Sequence, residues 1–229
     1  MADEHGSGVM TESEPVTFSH LIEKFPTLQD TPAIRAAFEH ARRHLPAYLL
    51  NHVARSWVFA VSIAQKAGSA FDDEVVAAAA LLHDIALVPV ADGPYRFEVN
   101  GANAAREFVR GQGFDERRGQ LVWDAIALHS TATIAIHKET DVALVVRGIG
   151  VDFGRPDYSL FAPEEMEGIV RLIPRLNMKC EFKKCLCDIA REHPEKTYNN
   201  FIREFGERFV SGYKAPSVVD LMMSAPFSE

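Results

Sequence analysis

Four residues of this chain combine metal-ligand chemistry with apolar surroundings: His52, the adjacent pair His83-Asp84, and Asp152. His83 and Asp84 interrupt the stretch AAAALLHDIAL, where a carboxylate costs several kcal/mol unless it is paired, hydrogen-bonded or bound to a metal. Each has an ordinary structural reading, Asp84 bonded to a neighbouring helix end and His83 as a satisfied core histidine. Side by side, however, both need polar partners in one dry region. His52 shares a face with Leu49, Phe59, Ala60 and Ile63 when residues are placed about 100° apart, and Asp152 shares one with Val145, Gly148 and Ile149. Two imidazoles and two carboxylates converging from three buried helices suit a divalent ion with an open position for water. One ion would answer four separate burial problems.

The elements that must carry these residues are readable as helices. Thr31 caps a helix with Pro32 in its first turn, running to about His44. From Tyr48 to Lys66, Leu49, Val53, Trp57, Ala60 and Ala64 recur at steps of three and four, and Gly68 marks the end. Asp72 or Asp73 caps the next helix, which is apolar nearly all round and is predicted to reach about Val88, with His83-Asp84 inside it. The stretch DGPYRFEVNG reads as a connection. Further helices are predicted at about 101–112, 115–128, 139–152, 163–174, 178–192 and 197–209. No pair of alternating strands with a hairpin signal accompanies them. The expectation is one all-α domain over 18–214, with a disordered polar tail at 1–17 and a frayed C-terminal segment at 215–229.

Composition narrows the function classes. With 229 residues, 47% of them apolar, the chain is long enough for a packed core. Its net charge of −8 and lack of a basic run argue against a general nucleic-acid binder, though not against a single nucleotide as substrate. No stretch is apolar enough to span a membrane, and the acidic start does not resemble a signal peptide. Cys180, Cys185 and Cys187 form an odd, clustered set that argues for a reducing, cytoplasmic setting and reads as ordinary thiols on a helix. Neither a phosphate-binding glycine loop nor G-x-S-x-G is present.

His52 in LNHVARSW, His83-Asp84 in ALLHDIAL and Asp152 in GIGVDFG, in that order and in an all-helical setting, resemble the HD superfamily of metal-dependent hydrolases. The resemblance covers roughly residues 30 to 210 and implies an HD-type helical bundle with the metal between its central helices. The phrases RFEVNGANAAREF and AIALHS look like the cyanamide hydratase-like branch. Many HD nucleotidases carry a catalytic Glu three residues after the Asp, where this chain has Leu87. His129 ends its helix on an apolar face; it reads either as a helix cap or as a group beside the metal that passes a proton to substrate. The likeness also raises Glu98 as an orienting group for a ligand or water; from their own positions Phe97 reads as a pocket wall, and Asn100 and Thr131 as small polar contacts to substrate. Asn100 is equally suited to capping the next helix.

The implied activity is hydration of a small nitrile, cyanamide giving urea. The bound ion lowers the pKa of its water toward about 7. Zinc is the first expectation, with Fe²⁺, Mn²⁺ or Co²⁺ compatible with mixed N/O ligands. The enzyme alternative is an HD phosphohydrolase acting on a nucleotide or related ester. It would need converging cations, for which Arg55, Arg96, Arg147 and Arg155 are the candidates. A third reading is a non-catalytic helical module that binds no metal. The expected partner is a small molecule, with neither nucleic-acid polymer nor membrane, and the likeness is compatible with a homodimer.

Overall fold

A computed structural model describes residues 14–89 and 92–227. Twelve α-helices and no strand occur among the described residues. In order they are α1 (Phe18–Lys24), α2 (Pro32–His44), α3 (Ala47–Ala67), α4 (Asp73–Leu82), α5 (Phe97–Gly111), α6 (Glu116–Ala127) and α7 (Ala132–Ala135). There follow α8 (Thr140–Asp152), α9 (Pro163–Leu172), α10 (Met178–Glu192), α11 (Ile202–Phe209) and α12 (Val218–Met223). No described helix is long and apolar enough to cross a membrane.

The centre of the bundle is α3, buried at nearly every position from Leu49 to Ala64 and packed most extensively on α8, with α4 beside both. Asp72 caps α4, its side chain accepting from Glu74 N and Val75 N, and the eight residues from Val75 to Leu82 are buried. A helix dry on every side is what its alanine-rich sequence requires.

Gly148 sets how closely α8 can approach α3. A Cβ placed there would lie 2.5 Å from the Ser56 carbonyl oxygen and 2.6 Å from Ala60 N, so only glycine permits this crossing. The contact lies one turn before Asp152 and one turn after His52. It therefore holds the two chemical residues together.

The structure departs from the sequence expectations at several boundaries. The helix carrying His83-Asp84 stops at Leu82, and a short 3₁₀ turn, Ile85–Leu87, replaces its predicted last turn. The cause is local: His83 Nδ1 bonds the Ala80 carbonyl at 2.8 Å, the acceptor that a continuing helix would offer to residue 84. The expected loop before residue 101 is shorter than predicted, because α5 begins at Phe97 and so carries Glu98 and Asn100 on a helix. The tail prediction also ran too far. Val16 is buried, its N–H donates to Asn51 Oδ1 at 2.8 Å, and Thr17 caps α1. Residues 1–13 of that predicted tail lie outside the described residues, as do 228–229 of the C-terminal segment. Within that segment the chain forms α12 instead of fraying.

Replacing Gly148 by Ala should destabilise the protein by about 1–3 kcal/mol, the usual range for overpacking, and lower Tm by several degrees. Calorimetry of the variant would check this; an unchanged Tm would show that the α3–α8 crossing does not depend on the missing side chain.

Candidate metal centre

Four polar residues reach one point from three places. His52 lies within α3, His83 and Asp84 follow α4, and His129 follows α6; all are buried. His52 Nε2 and His83 Nε2 are 3.2 Å apart, and Asp84 Oδ2 stands 3.6 Å from the first and 3.3 Å from the second. Ligands bound about 2.1 Å from one ion at tetrahedral or octahedral angles are separated by about 3.0–3.4 Å. The three groups thus have the spacing of ligands sharing an ion. His129 Nε2 stands 3.9 Å from Asp84 Oδ1.

Proton positions follow from the outward bonds. His83 Nδ1 faces the Ala80 carbonyl at 2.8 Å, and His129 Nδ1 faces the Ile126 carbonyl at 2.7 Å. A carbonyl only accepts, so Nδ1 of each ring carries the hydrogen. His52 Nδ1 faces a carboxylate oxygen of Asp152 at 2.7 Å, with the same consequence. In the neutral rings each Nε2 is then a bare lone pair turned inward. Asp84 Oδ2 is buried with no hydrogen-bond partner, because with the His83 hydrogen on Nδ1 the facing Nε2 of the neutral ring has none to give it. Lone pairs facing one another in a dry region repel, and a divalent cation removes both problems. His52, His83 and Asp84 fit such an ion.

Burial and mutual charge together set the protonation of these four groups. Burial opposes the Asp84 charge, yet His83, His52 and His129 hold its carboxyl at about 2. Burial and the neighbouring His83 push His129 down to about 4, so it is neutral at pH 7. Burial also lowers His52, whereas Asp84 outweighs burial at His83 and raises it.

Other expected site residues are placed differently. Asp152, expected beside the metal, lies on the Nδ1 side of His52, away from the three-ligand cluster. Glu98 does not face the cluster either. Arg96 grips it in a fork at 2.5 and 2.9 Å, and Ser130 Oγ donates to it at 2.7 Å. Phe97 packs edge-on against His129, 5.5 Å between centroids. Asn100 neither caps a helix nor meets the cavity at the cluster; its amide accepts from Tyr95 N and donates to Tyr95 O, closing the loop before α5. Thr131 Oγ1 donates to the Leu128 carbonyl at 3.0 Å, and its neighbour Ser130 is the one that lines the cavity. Cys180, Cys185 and Cys187 are free thiols on α10.

The cluster closes one end of a cavity of about 260 Å³. Its walls are largely apolar, with Val146, Ile149, Phe153, Phe182, Phe201 and Phe205, and Arg155 lies at its edge. The aromatic walls come from α10, α11 and the turns beside α8 and α11, regions the sequence reading left without a role. The buried charge of Arg55 was the one available signal for a polar assembly behind His52.

A pH dependence follows for the metal-free protein. The unfolded chain takes up a proton at His129 near pH 6.5, which the folded protein refuses until about 4. Its contribution to stability is therefore complete above 6.5 and is lost as pH falls toward 4, by up to about 3 kcal/mol. Urea unfolding at stepped pH should show a shallower acid loss for His129→Gln; identical profiles would remove His129 from this account.

No curated protein matches the chain. A family model does. It is described as HD domain, it matches residues 49–160, and that span holds His52, His83, Asp84, His129 and Asp152. Over residues 49–160, the helical core that brings these side chains together, the chain matches the HD-domain family model.

Proposed function

We propose that this HD domain is a metal-dependent hydratase that adds water to a small nitrile or cyanamide-type substrate, converting cyanamide to urea. A metal-dependent, hydrolase-type activity is what the HD domain itself indicates. The observation that carries the finer reading is the cavity: at about 260 Å³ and largely apolar, it suits a compact substrate with little charge. The arginines that a phosphate would need are already engaged. Arg55 pairs with Asp152, Arg96 with Glu98, and Arg147 with Asp157 at 2.8 and 2.9 Å. Only Arg155 of the four reaches the cavity, and it has no carboxylate partner among the described residues.

A divalent ion held by His52, His83 and Asp84 would supply Lewis acidity and a water of lowered pKa, zinc being the first choice. His129 is set up to move the proton. Its Nδ1 hydrogen stays on the Ile126 carbonyl, and its neutral Nε2 faces the cluster as an acceptor. It takes a proton as water oxygen bonds to the nitrile carbon and returns it to the nitrogen, so that one water adds across the C≡N bond. This differs from a standing acid, the role expected from sequence, because burial keeps the ring neutral. Glu98 and Arg96 hold Ser130, and with it the turn that presents His129. Phe153, Phe182 and Phe205 keep bulk water from the reacting end.

Metal-loaded protein should release urea from cyanamide, and His129→Ala should lower kcat by about 10²–10⁴-fold, the usual contribution of a positioned acid–base group. A nucleotide panel assayed for phosphate serves as the comparison. Phosphate release without urea would overturn the hydratase reading in favour of a phosphohydrolase using Arg155.

A further inference from the structure

Behind His52 the chain builds a second polar assembly, and its geometry is more fully determined than that of the cavity. Both oxygens of Asp152 are engaged. Oδ2 meets His52 Nδ1 and Arg55 Nη2, each at 2.7 Å; Oδ1 accepts from Arg55 Nε at 2.8 Å and Arg175 Nη1 at 2.7 Å. Arg175 also donates to the Asp152 backbone carbonyl at 3.2 Å. Arg55 is wholly buried, one turn along α3 from His52. Burial opposes the Asp152 charge, but Arg55 and His52 hold the carboxyl far below the usual carboxylate range.

Arg175 comes from the turn joining α9 to α10, and that turn is strained. Leu176 and Asn177, neither of them glycine, have φ of 49° and 58°. Such conformations persist only where their surroundings over-determine them. Here α3 supplies the restraint. Arg55 Nη1 donates to the carbonyls of Ile173 and Pro174 at 3.0 and 3.1 Å, and Asn51 Nδ2 donates to Pro174 at 2.8 Å.

We infer that Asp152, clamped between Arg55 and Arg175, is a positioning residue for His52 and occupies no metal coordination position. The resemblance seen in the sequence implied a fourth ligand at this point. Turning the carboxylate to the cluster would leave the buried Arg55 guanidinium without its counter-ion, and an unpaired buried charge is strongly destabilising. Left in place, the carboxylate fixes the Nδ1–H form of His52, orients the ring and makes Nε2 a better donor to a cation. The ion is then held by three protein groups, with its remaining positions open to water and substrate. The inference rests on metal binding at the cluster and is independent of which substrate the cavity takes.

Cobalt(II) alone is the probe, with bound metal per chain measured by elemental analysis after dialysis and the ligand-field absorption recorded. The parent protein, Asp152→Asn, Arg175→Ala and, as a ligand-loss control, His83→Ala are compared. Asp152→Asn and Arg175→Ala should each still bind one cobalt per chain with the parent's spectrum, at about 10–100-fold weaker affinity. Arg175 is partly exposed, so its variant tests the clamp even if the buried Asp152→Asn change impairs folding. Restoration of affinity by Arg175→Lys supports the clamp as well. Loss of stoichiometric cobalt from Asp152→Asn, as in His83→Ala, or a spectral change confined to Asp152→Asn, would make Asp152 a ligand and overturn the inference. Failure of the parent to bind cobalt would overturn the metal centre itself, and the inference with it.

Discussion

Three imidazoles turn their Nδ1 hydrogens outward and their Nε2 lone pairs toward Asp84, whose Oδ2, beside His52 and His83, has no hydrogen-bond partner. Much of the remaining structure follows from that arrangement. It is repulsive without a cation, so it must be held by partners that are themselves fixed. Two of those partners are backbone carbonyls at helix ends, Ala80 and Ile126, and the third is a carboxylate that two arginines immobilise. The ends of α4 and α6 therefore belong to the centre as directly as the ligands do. Ending α4 at Leu82 frees the Ala80 carbonyl for His83 and turns Asp84 toward the other ligands.

The same economy of charge shapes the cavity. Arg55, Arg96 and Arg147 each neutralise a carboxylate of the scaffold, leaving the space beside the cluster largely apolar apart from the cluster itself, Ser130 and Arg155. A dry, compact space strengthens every electrostatic interaction made inside it. It also explains the state of His129, whose low proton affinity comes first from burial and then from His83. Proton acceptance is what such a ring offers at neutral pH.

Much of this was legible in the chain. The helical periodicity of α3, the cap at Asp72 and the isolated His83-Asp84 pair in an alanine-rich run led to the right class of fold and to the three residues that cluster. Their signal was strong because a polar group in an apolar run carries a large penalty wherever the chain folds. The boundaries were less legible. The early end of α4 depends on a side chain replacing a backbone donor, and the start of α5 at Phe97 lacks a side-chain cap that could announce it.

Asp152 shows most clearly where sequence stops. Its type, its spacing and its apolar face all suggested a ligand, because one-dimensional pattern can show that a buried charge needs a partner but cannot show which one. The choice belongs to tertiary structure: Gly148 lets α8 approach α3, and the α9–α10 turn brings in Arg175 from outside the HD-domain match. Residue types and local periodicity were enough to bring out the helices and a set of side chains that suits a cation. Which oxygen or nitrogen faces the three-residue cluster, and which faces a guanidinium, was decided by crossings between helices far apart in the chain, since a short-range charge pairing exists only at the distance those crossings set.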